Sequence, residues 1–235
     1  MKNQVVLSVF LAFSVFFIGL ASVAAQEGES RSVSGGGVLV KGWTGKIDAK
    51  EQAAGLTINS SKLVKEGKDL HITTGPAVTY WNPANLAKGD YTVSATFLEP
   101  KYMSINDHPH PYGIVIAGND LGTDQQSYLY CAAYGNGTFI VRGFGPKPFQ
   151  MNGRAAADPA VNKAVGVGQP VTQEIAITVK GQKVECSINK KVVASYDKSA
   201  LVTAGKLKST DGVYGIRFAH NTDAIVTGLK ITKAR

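Results

Sequence analysis

The tripeptide Gly135–Gly137, Gly-Asn-Gly, is the feature that most restricts the fold of this chain. It lies between two runs rich in β-forming residues, Ser127–Tyr134 and Thr138–Phe144. Asn-Gly between such runs is a strong signal for a tight turn between antiparallel strands. A third run, Gly113–Asn119, precedes them, so the middle of the chain is expected to be an antiparallel β-sheet.

The hairpin register follows if Asn136 and Gly137 form a two-residue loop, because pairing is then counted outward from the turn. This count places Tyr134 opposite Phe139 and Cys131 opposite Arg142. Since an unpaired arginine is rarely buried, we expect the Arg142 face to meet solvent, a ligand or a covering loop. The opposite face, expected in the core, carries Tyr130, Tyr134, Phe139 and Val141.

The rest of the chain repeats the same pattern of short strands and turns. Tyr91–Phe97 alternates cleanly, which predicts Tyr91, Val93, Ala95 and Phe97 in the core. No segment of about ten residues has sustained helical periodicity, so we predict an all-β protein, an antiparallel β-sandwich or jelly roll with few or no helices. The Gly- and Pro-rich stretch Gly145–Pro170 is expected to be a flap over one face.

The first residues resemble a signal for export. Residues 1–25 combine a Lys near the start, an apolar run and small residues before Gln26, which is typical of a signal peptide. We expect residues 26–38 to be a flexible leader and 39–235 to be one β-jelly-roll domain, with no transmembrane segment after cleavage. The protein is therefore predicted to be exported, to the periplasm or the extracellular medium.

Charge and cysteine content restrict the partners and the covalent links. The net charge is +8, but the lysines are spread along the sequence, so we do not expect a nucleic-acid interface. Export permits a disulfide between the two cysteines. However, the predicted register puts Cys131 on the same face as Arg142, whereas Cys186 lies on the same face of its strand as the apolar Val184 and Ile188. We therefore expect the two cysteines to be unpaired.

Several stretches together resemble the concanavalin A-like (laminin G-like) jelly-roll superfamily. The resemblance is strongest to exported bacterial domains described as family 16 glycoside hydrolase-like or 3-keto-disaccharide hydrolase domains. It implies a β-sandwich with a sugar on one sheet face. The chain lacks the Glu-x-Asp-x-x-Glu and Glu-x-Gln motifs of these enzymes. The matching stretches are Gly89–Phe97, Tyr112–Gly118, Tyr128–Phe144, Ile177–Val193 and Asp211–Ile231.

A polar sheet face is predicted from the strand phases opposite the core. These phases carry many small residues together with Asn119, Arg142 and Arg217. Arginine forks and amides suit recognition of hydroxyl and carboxylate groups, so we predict that these residues bind a ligand. The alternative is equally open at this point: a loop covers the small residues, and the arginines pair with acidic side chains.

The loop before Tyr112 contains His108-Pro109-His110-Pro111. Its histidines and Tyr112 are predicted at the rim of the ligand site, and Asp107 and His110 are the candidate catalytic residues. A metal pair is a further possibility, but a metal site normally needs three or four ligands. No spacing ties His71 or His220 to this loop, which favours a rigid connector.

A calcium ion is the one cofactor that the sequence suggests. Asn119, Asp120 and Asp124 offer oxygen ligands around Gly122, and calcium takes six or more oxygens. The spacing of a complete calcium-binding loop is missing, so an ordinary Asx turn is the stronger interpretation. No other cofactor is expected.

The function predicted from the sequence is recognition of a carbohydrate, or a similar polyhydroxylated ligand, on the polar sheet face. One alternative is a glycoside hydrolase or lyase acting on glycosides or 3-keto-glycosides. A second alternative is a non-catalytic envelope or adhesion module. Fold alone does not choose among these functions.

Overall fold

The structure, a computed structural model, describes residues 29–153 and 155–234. They form two large sheets packed face to face, almost entirely from antiparallel strands, which confirms the prediction of an all-β sandwich. The predicted signal peptide, residues 1–25, lies outside the described residues. No helix in the described part of the chain is long and apolar enough to cross a membrane.

Sixteen strands are found among the described residues, with only two short helices and one 3-10 turn. Sheet A has the spatial order β1 (Gly37–Val38), β3 (Lys62–Glu66), β4 (Asp69–Thr73), β16 (Asp223–Lys233), β6 (Tyr91–Glu99), β12 (Val171–Lys180), β13 (Lys183–Ile188) and β14 (Lys191–Asp197). Sheet B has the order β10 (Pro148–Gln150), β9 (Thr138–Phe144), β8 (Ser127–Ala133), β7 (Tyr112–Asn119), β15 (Gly212–Phe218), β5 (Val78–Ala87) and β2 (Thr44–Ile47), and β11 (Ala156–Ala157) also pairs with β9. The helical pieces are α1 (Ala49–Ala53), α2 (Lys198–Leu201) and the turn Ile58–Ser60.

The core lies between the two sheets and follows the predicted alternation of β6. All four predicted inward residues are buried: Tyr91, Val93, Ala95 and Phe97. Each fully buried large apolar side chain stabilises the fold by about 1.5–3 kcal/mol. On sheet B, Phe218 and Tyr112 pack against Phe97, with ring centroids 5.7–6.1 Å from it. The alternate residues of each strand therefore point away from the core.

The predicted register of the central hairpin is wrong by one residue. Ala133, not Tyr134, pairs with Phe139, and Tyr130 pairs with Arg142. The connection, residues 134–137, is longer than the expected two-residue Asn-Gly turn, and Asn136 is bonded within it. Its side-chain oxygen accepts hydrogen bonds from the backbone and hydroxyl of Thr138 at 3.2 and 2.6 Å.

This shift exchanges the two faces of β8, because successive side chains point to opposite sides of a strand. Cys131 lies in the core instead of beside Arg142, and Tyr130 lies on the outward face instead of in the core. The face assignment of Phe139 and Val141 is confirmed, since both belong to the core.

Cys131 and Cys186 form a disulfide, contrary to the expectation that they are unpaired. Cys131 is on β8 of sheet B and Cys186 on β13 of sheet A, and their Cα atoms are 6.1 Å apart. The expectation failed because the wrong register turned Cys131 away from the core. With the observed register both side chains lie between the sheets, and the bond ties the sheets together.

The segment after β9 differs from the expected flap, and the residues before β2 have contacts with the sandwich. Within Gly145–Pro170, β10 and β11 pair with β9 and extend sheet B, so this segment adds an edge instead of covering a face. Residues 29–38 contact the sandwich at several points. For example, Val33 donates to the carbonyl of Ser60 at 3.1 Å, and β1 pairs with β3.

The disulfide should make a measurable contribution to stability. The two cysteines are 55 residues apart in sequence, and a cross-link closing a loop of this size lowers the free energy of the folded relative to the unfolded state by about 2–4 kcal/mol. We expect the Cys131→Ala/Cys186→Ala variant to lose about this much free energy of unfolding in urea titrations. Two titratable thiols in the denatured, unreduced wild-type protein would contradict the bond.

Candidate functional site

The outward face of sheet B carries both predicted arginines. Arg217 on β15 pairs in register with Thr79 on β5 and Gly113 on β7. Arg142 on β9 pairs with Tyr130 on β8. In antiparallel pairs, residues directly opposite each other share a face. The two arginines thus lie on the same side of sheet B.

Arg217 is buried and already has a partner. It donates to both carboxylate oxygens of Asp48, at 2.7 and 2.5 Å, and to the hydroxyl of Thr79 at 3.1 Å. Burial acts to lower the pKa of Arg217, but the Asp48 carboxylate together with Tyr128 and Tyr130 more than offsets burial and raises the pKa above its ordinary value, so the guanidinium stays charged. Of the two alternatives for the arginines, ligand binding or pairing with an acidic side chain, Arg217 follows the second. Its side chain is paired with Asp48, and the residue is 6% exposed.

Aromatic rings surround the Arg217 guanidinium. Its central carbon lies 5.8 Å from the ring centroid of Tyr130 and 5.4 Å from that of Phe144. The ring of Tyr128 packs on Phe144 at 5.0 Å, and its hydroxyl is 3.0 Å from that of Thr79. Strands β7 and β15 lie between Tyr128 on β8 and Thr79 on β5, so the Tyr128 side chain extends over the small residues predicted on this face.

The outward face of sheet B is partly accessible at β9. Phe144 and Arg142 are both half-buried, and the guanidinium carbon of Arg142 is 5.8 Å from the Phe144 ring centroid. Gln150, which is exposed, pairs in register with Arg142. We call Arg142, Phe144 and Gln150 the β9 patch. It presents an aromatic ring, a cation and an amide next to one another.

The loop predicted to bind calcium is held by other contacts. The side chain of Asn119 donates to the carbonyls of Ala117 and Asp211 at 3.1 and 3.0 Å. Asp120 forms an ion pair with Lys208, and Asp124 forms one with Lys46 at 3.4 Å. The two carboxylates are thus each directed to a lysine. Calcium binding here stays a prediction.

Tyr112 and Asp107, also predicted at the site, lie apart from the β9 patch. The structure places Tyr112 fully in the core, stacked with Phe97 and Phe218, rather than at a ligand rim. Asp107 is exposed and accepts a hydrogen bond from Nδ1 of His108 at 2.5 Å. This hydrogen bond from His108 holds the pKa of Asp107 below its usual value, which keeps it ionised.

The histidines form a second cluster at one end of the sandwich. Nε2 of His108 is 2.8 Å from Nε2 of His110, and the His220 ring stacks on His110 with centroids 4.1 Å apart. Among the described residues, these three are the one group of His, Cys, Asp or Glu side chains suited to hold a metal ion. No spacing in the sequence links His220 to the other two histidines, because His220 follows β15 while the others precede β7. Those strands are neighbours in sheet B.

Comparison with known proteins confirms the fold expected from the resemblance. The chain is similar to carbohydrate-binding module CBM66 from Bacillus subtilis, with 8% identity, a TM-score of 0.53, and 82% and 96% of the two chains covered. It is similar to a Bacillus subtilis protein of unknown function with a galectin-like fold, with 14% identity, a TM-score of 0.55, and 83% and 90% covered. It is also similar to the endo-β-1,3-glucanase from Pyrococcus furiosus, with 12% identity, a TM-score of 0.53, and 81% and 88% covered. No protein-family model matches the chain, and no curated protein sequence matches it significantly.

The Arg217–Asp48 pair should be important for stability. Removing one member of a buried ion pair leaves the other without a counter-charge and costs about 3–5 kcal/mol. We expect Asp48→Asn to lower the free energy of unfolding by about 3 kcal/mol, measured by urea titration at neutral pH. The double variant Asp48→Leu/Arg217→Met should recover part of this loss, because it leaves no unpaired charge.

A surface ion pair supplies the control for this measurement. Asp197 pairs with Lys183 at 2.9 Å, and both side chains are more than half exposed. Asp197→Asn should therefore change the free energy of unfolding by less than about 1 kcal/mol. Equal effects of Asp48→Asn and Asp197→Asn would contradict the role assigned to the buried pair.

Proposed function

We propose that this protein is an exported carbohydrate-binding domain that holds its ligand at the β9 patch on the outward face of sheet B. The observation that carries the proposal is the Phe144 ring, half-buried and placed within 6 Å of the guanidinium groups of both Arg142 and Arg217. Tyr128, which pairs with Phe144 on the neighbouring strand β8, packs its ring on the Phe144 ring. The Phe144 ring is therefore held in place before a ligand binds.

The chemistry of the β9 patch suits a sugar. The C–H face of a pyranose packs on an aromatic ring, while its hydroxyls need donors and acceptors. Arg142 supplies a planar fork of donors. The amide nitrogen of Gln150 donates to the carbonyl of Asn152 at 2.7 Å, so this exposed side chain offers the ligand its oxygen and one remaining N–H. An acidic sugar would gain a charge-assisted bond to Arg142. Arg217 keeps the rings in place and does not contact the ligand.

Binding is favoured over hydrolysis by the state of the carboxylate on this face. Cleavage by paired acids needs two carboxyl groups roughly 5–10 Å apart. Asp48 has both oxygens bonded to the buried Arg217, which suits it to hold the site rather than to transfer a proton. The similar carbohydrate-binding module and the similar glucanase share this fold, so the fold supports a sugar ligand and leaves the choice between binding and hydrolysis to the site.

Export is supported by the disulfide between the sheets. Disulfides form and persist in the periplasm, at the cell surface and outside cells, and are rare in the reducing cytosol. Cys131–Cys186 is buried between the two sheets, as a structural disulfide of an exported domain would be. The signal-like residues 1–25 support the same destination.

Calorimetric titration tests the sugar-binding proposal. The panel should contain β-1,3-linked gluco-oligosaccharides, on which the similar glucanase acts, together with neutral and uronic-acid oligosaccharides. For a ligand that binds, we expect Phe144→Ala and Arg142→Ala each to weaken the affinity roughly tenfold or more, equivalent to about 1.4 kcal/mol.

Two variants on the opposite sheet serve as controls. Val192 and Lys191 are exposed on β14 of sheet A, so Val192→Ala and Lys191→Ala match the loss of an apolar and a cationic group away from the site. Both should bind like wild type. Unchanged affinity of the Phe144 and Arg142 variants, or no binding by the wild-type protein across the panel, would overturn the proposal.

A further inference from the structure

Three histidines converge where two neighbouring strands of sheet B meet their loops. His108 and His110 precede β7, and His220 follows β15. The two loops are joined by a hydrogen bond from the backbone N–H of Ala219 to the carbonyl of Pro111 at 3.0 Å. Possible ligand nitrogens of the three rings all lie within 4.8 Å of one another. The backbone, and not chance side-chain placement, thus brings the rings together.

Each ring has its Nδ1 atom next to a polar partner. Nδ1 of His108 donates to Asp107 at 2.5 Å, and Nδ1 of His220 lies 3.2 Å from the hydroxyl of Ser30. Metal-binding histidines usually have such a partner on one nitrogen, because it orients the ring and leaves the other nitrogen for the metal. A carboxylate partner, as on His108, also makes the ring a stronger ligand.

Asn106 is the corresponding partner of His110. Its amide nitrogen is 3.2 Å from Nδ1 of His110 and donates to the carbonyl of Asn221 at 2.9 Å. Its side-chain oxygen is buried and has no hydrogen-bond partner among the described residues. Rotation of the amide would let this oxygen accept the Nδ1 proton of His110, which releases Nε2 for a metal. The rotation keeps a hydrogen bond to His110 and gives up the one to the Asn221 carbonyl.

His110 is the central ring of the cluster. It is 5% exposed, and the ring centroids of His108 and His220 lie 4.3 and 4.1 Å from its own. Its place between the other two rings is therefore set by packing.

A cavity of about 340 Å³ adjoins the cluster. His220 and Ser30 form part of its wall, together with Lys50, Glu51 and Leu56 from the region of α1. Three protein ligands leave a fourth position of a tetrahedral ion for water or a small ligand. The cavity provides space for such a group beside His220, and its wall carries charges of both signs.

From this arrangement we propose that His108, His110 and His220 bind one divalent transition-metal ion, with a remaining coordination position next to the cavity. Imidazole nitrogens suit zinc, nickel and copper, whereas calcium and magnesium take oxygen ligands. With Zn–N bonds of about 2.0–2.1 Å, tetrahedral ligand nitrogens lie about 3.3 Å apart. Nε2 of His108 and of His110 are 2.8 Å apart, so the rings separate slightly when the ion enters.

Zinc titration of the purified, chelator-treated protein, without a polyhistidine tag, tests this site. We expect binding of one zinc ion per chain at micromolar concentrations and a rise of the melting temperature with zinc, because the ion binds the folded state. Calcium should produce neither effect at the same concentrations. Cobalt substitution should give the visible absorption of a tetrahedral ion.

Matched histidine variants separate this site from general surface binding. His108→Ala and His220→Ala should each weaken zinc binding by about 100-fold or more. Asp107→Asn should weaken it by about 10-fold, because it weakens the hydrogen bond that orients His108. His71 is the control, because it lies on β4 and pairs instead with Glu66 and Asp223 at 2.7 and 2.8 Å. His71→Ala should leave zinc affinity unchanged.

Two results would overturn the metal site. One is the absence of zinc binding to the wild-type protein at micromolar concentrations. The other is zinc binding that survives both His108→Ala and Asp107→Asn. Asp107 is exposed, so its variant is expected to fold even where a histidine variant does not. Sugar binding at the β9 patch does not depend on either result.

Discussion

The register of β8 against β9 is the constraint on which the rest of the structure depends. Because side chains alternate along a strand, this single alignment decides what the central hairpin gives to the core and what it gives to the surface. The observed alignment turns Cys131 inward, where it bonds to Cys186 across the sandwich. It also turns Tyr130 outward, onto the face that carries Arg142 and Arg217.

The outward face is organised by a buried charge pair, and this determines which groups remain for a ligand. Arg217 is neutralised by Asp48 and lies against the rings of Tyr130 and Phe144, so it stabilises the positions of these two rings. Arg142 and Phe144 remain partly open beside it. A binding surface on paired strands, with its rings already packed, loses little conformational entropy when a ligand binds.

The sequence predicted the fold well because the fold follows from local patterns. The alternation in β6 is visible within one short segment, and the structure confirms it. The register failed because it depends on distant contacts. Asn136 pairs with Lys163, and Gly135 accepts from the backbone of Ala164, so the Gly-Asn-Gly segment is part of a longer loop.

The arrangement of the candidate site could be predicted only in part, because it also depends on contacts between residues far apart in the sequence. Arg142 and Arg217 share a face, as the strand phases indicated, but Asp48 lies 169 residues from Arg217 and no local pattern links them. His220 likewise joins His108 and His110 only because β7 and β15 are adjacent in the sheet. The sequence places Phe144 at the end of a β-strand. Its role at the candidate site follows only from the structure, which brings Tyr128, Arg142 and Arg217 next to its ring.

The most direct test of the central claim is an NMR titration of protein labelled on its phenylalanine rings, using an oligosaccharide that binds. A ligand on the outward face of sheet B should shift the ring resonances of Phe144 and leave those of Phe97, which lies between the sheets, unchanged. A saturable titration that leaves Phe144 unchanged would place the sugar elsewhere and contradict the account.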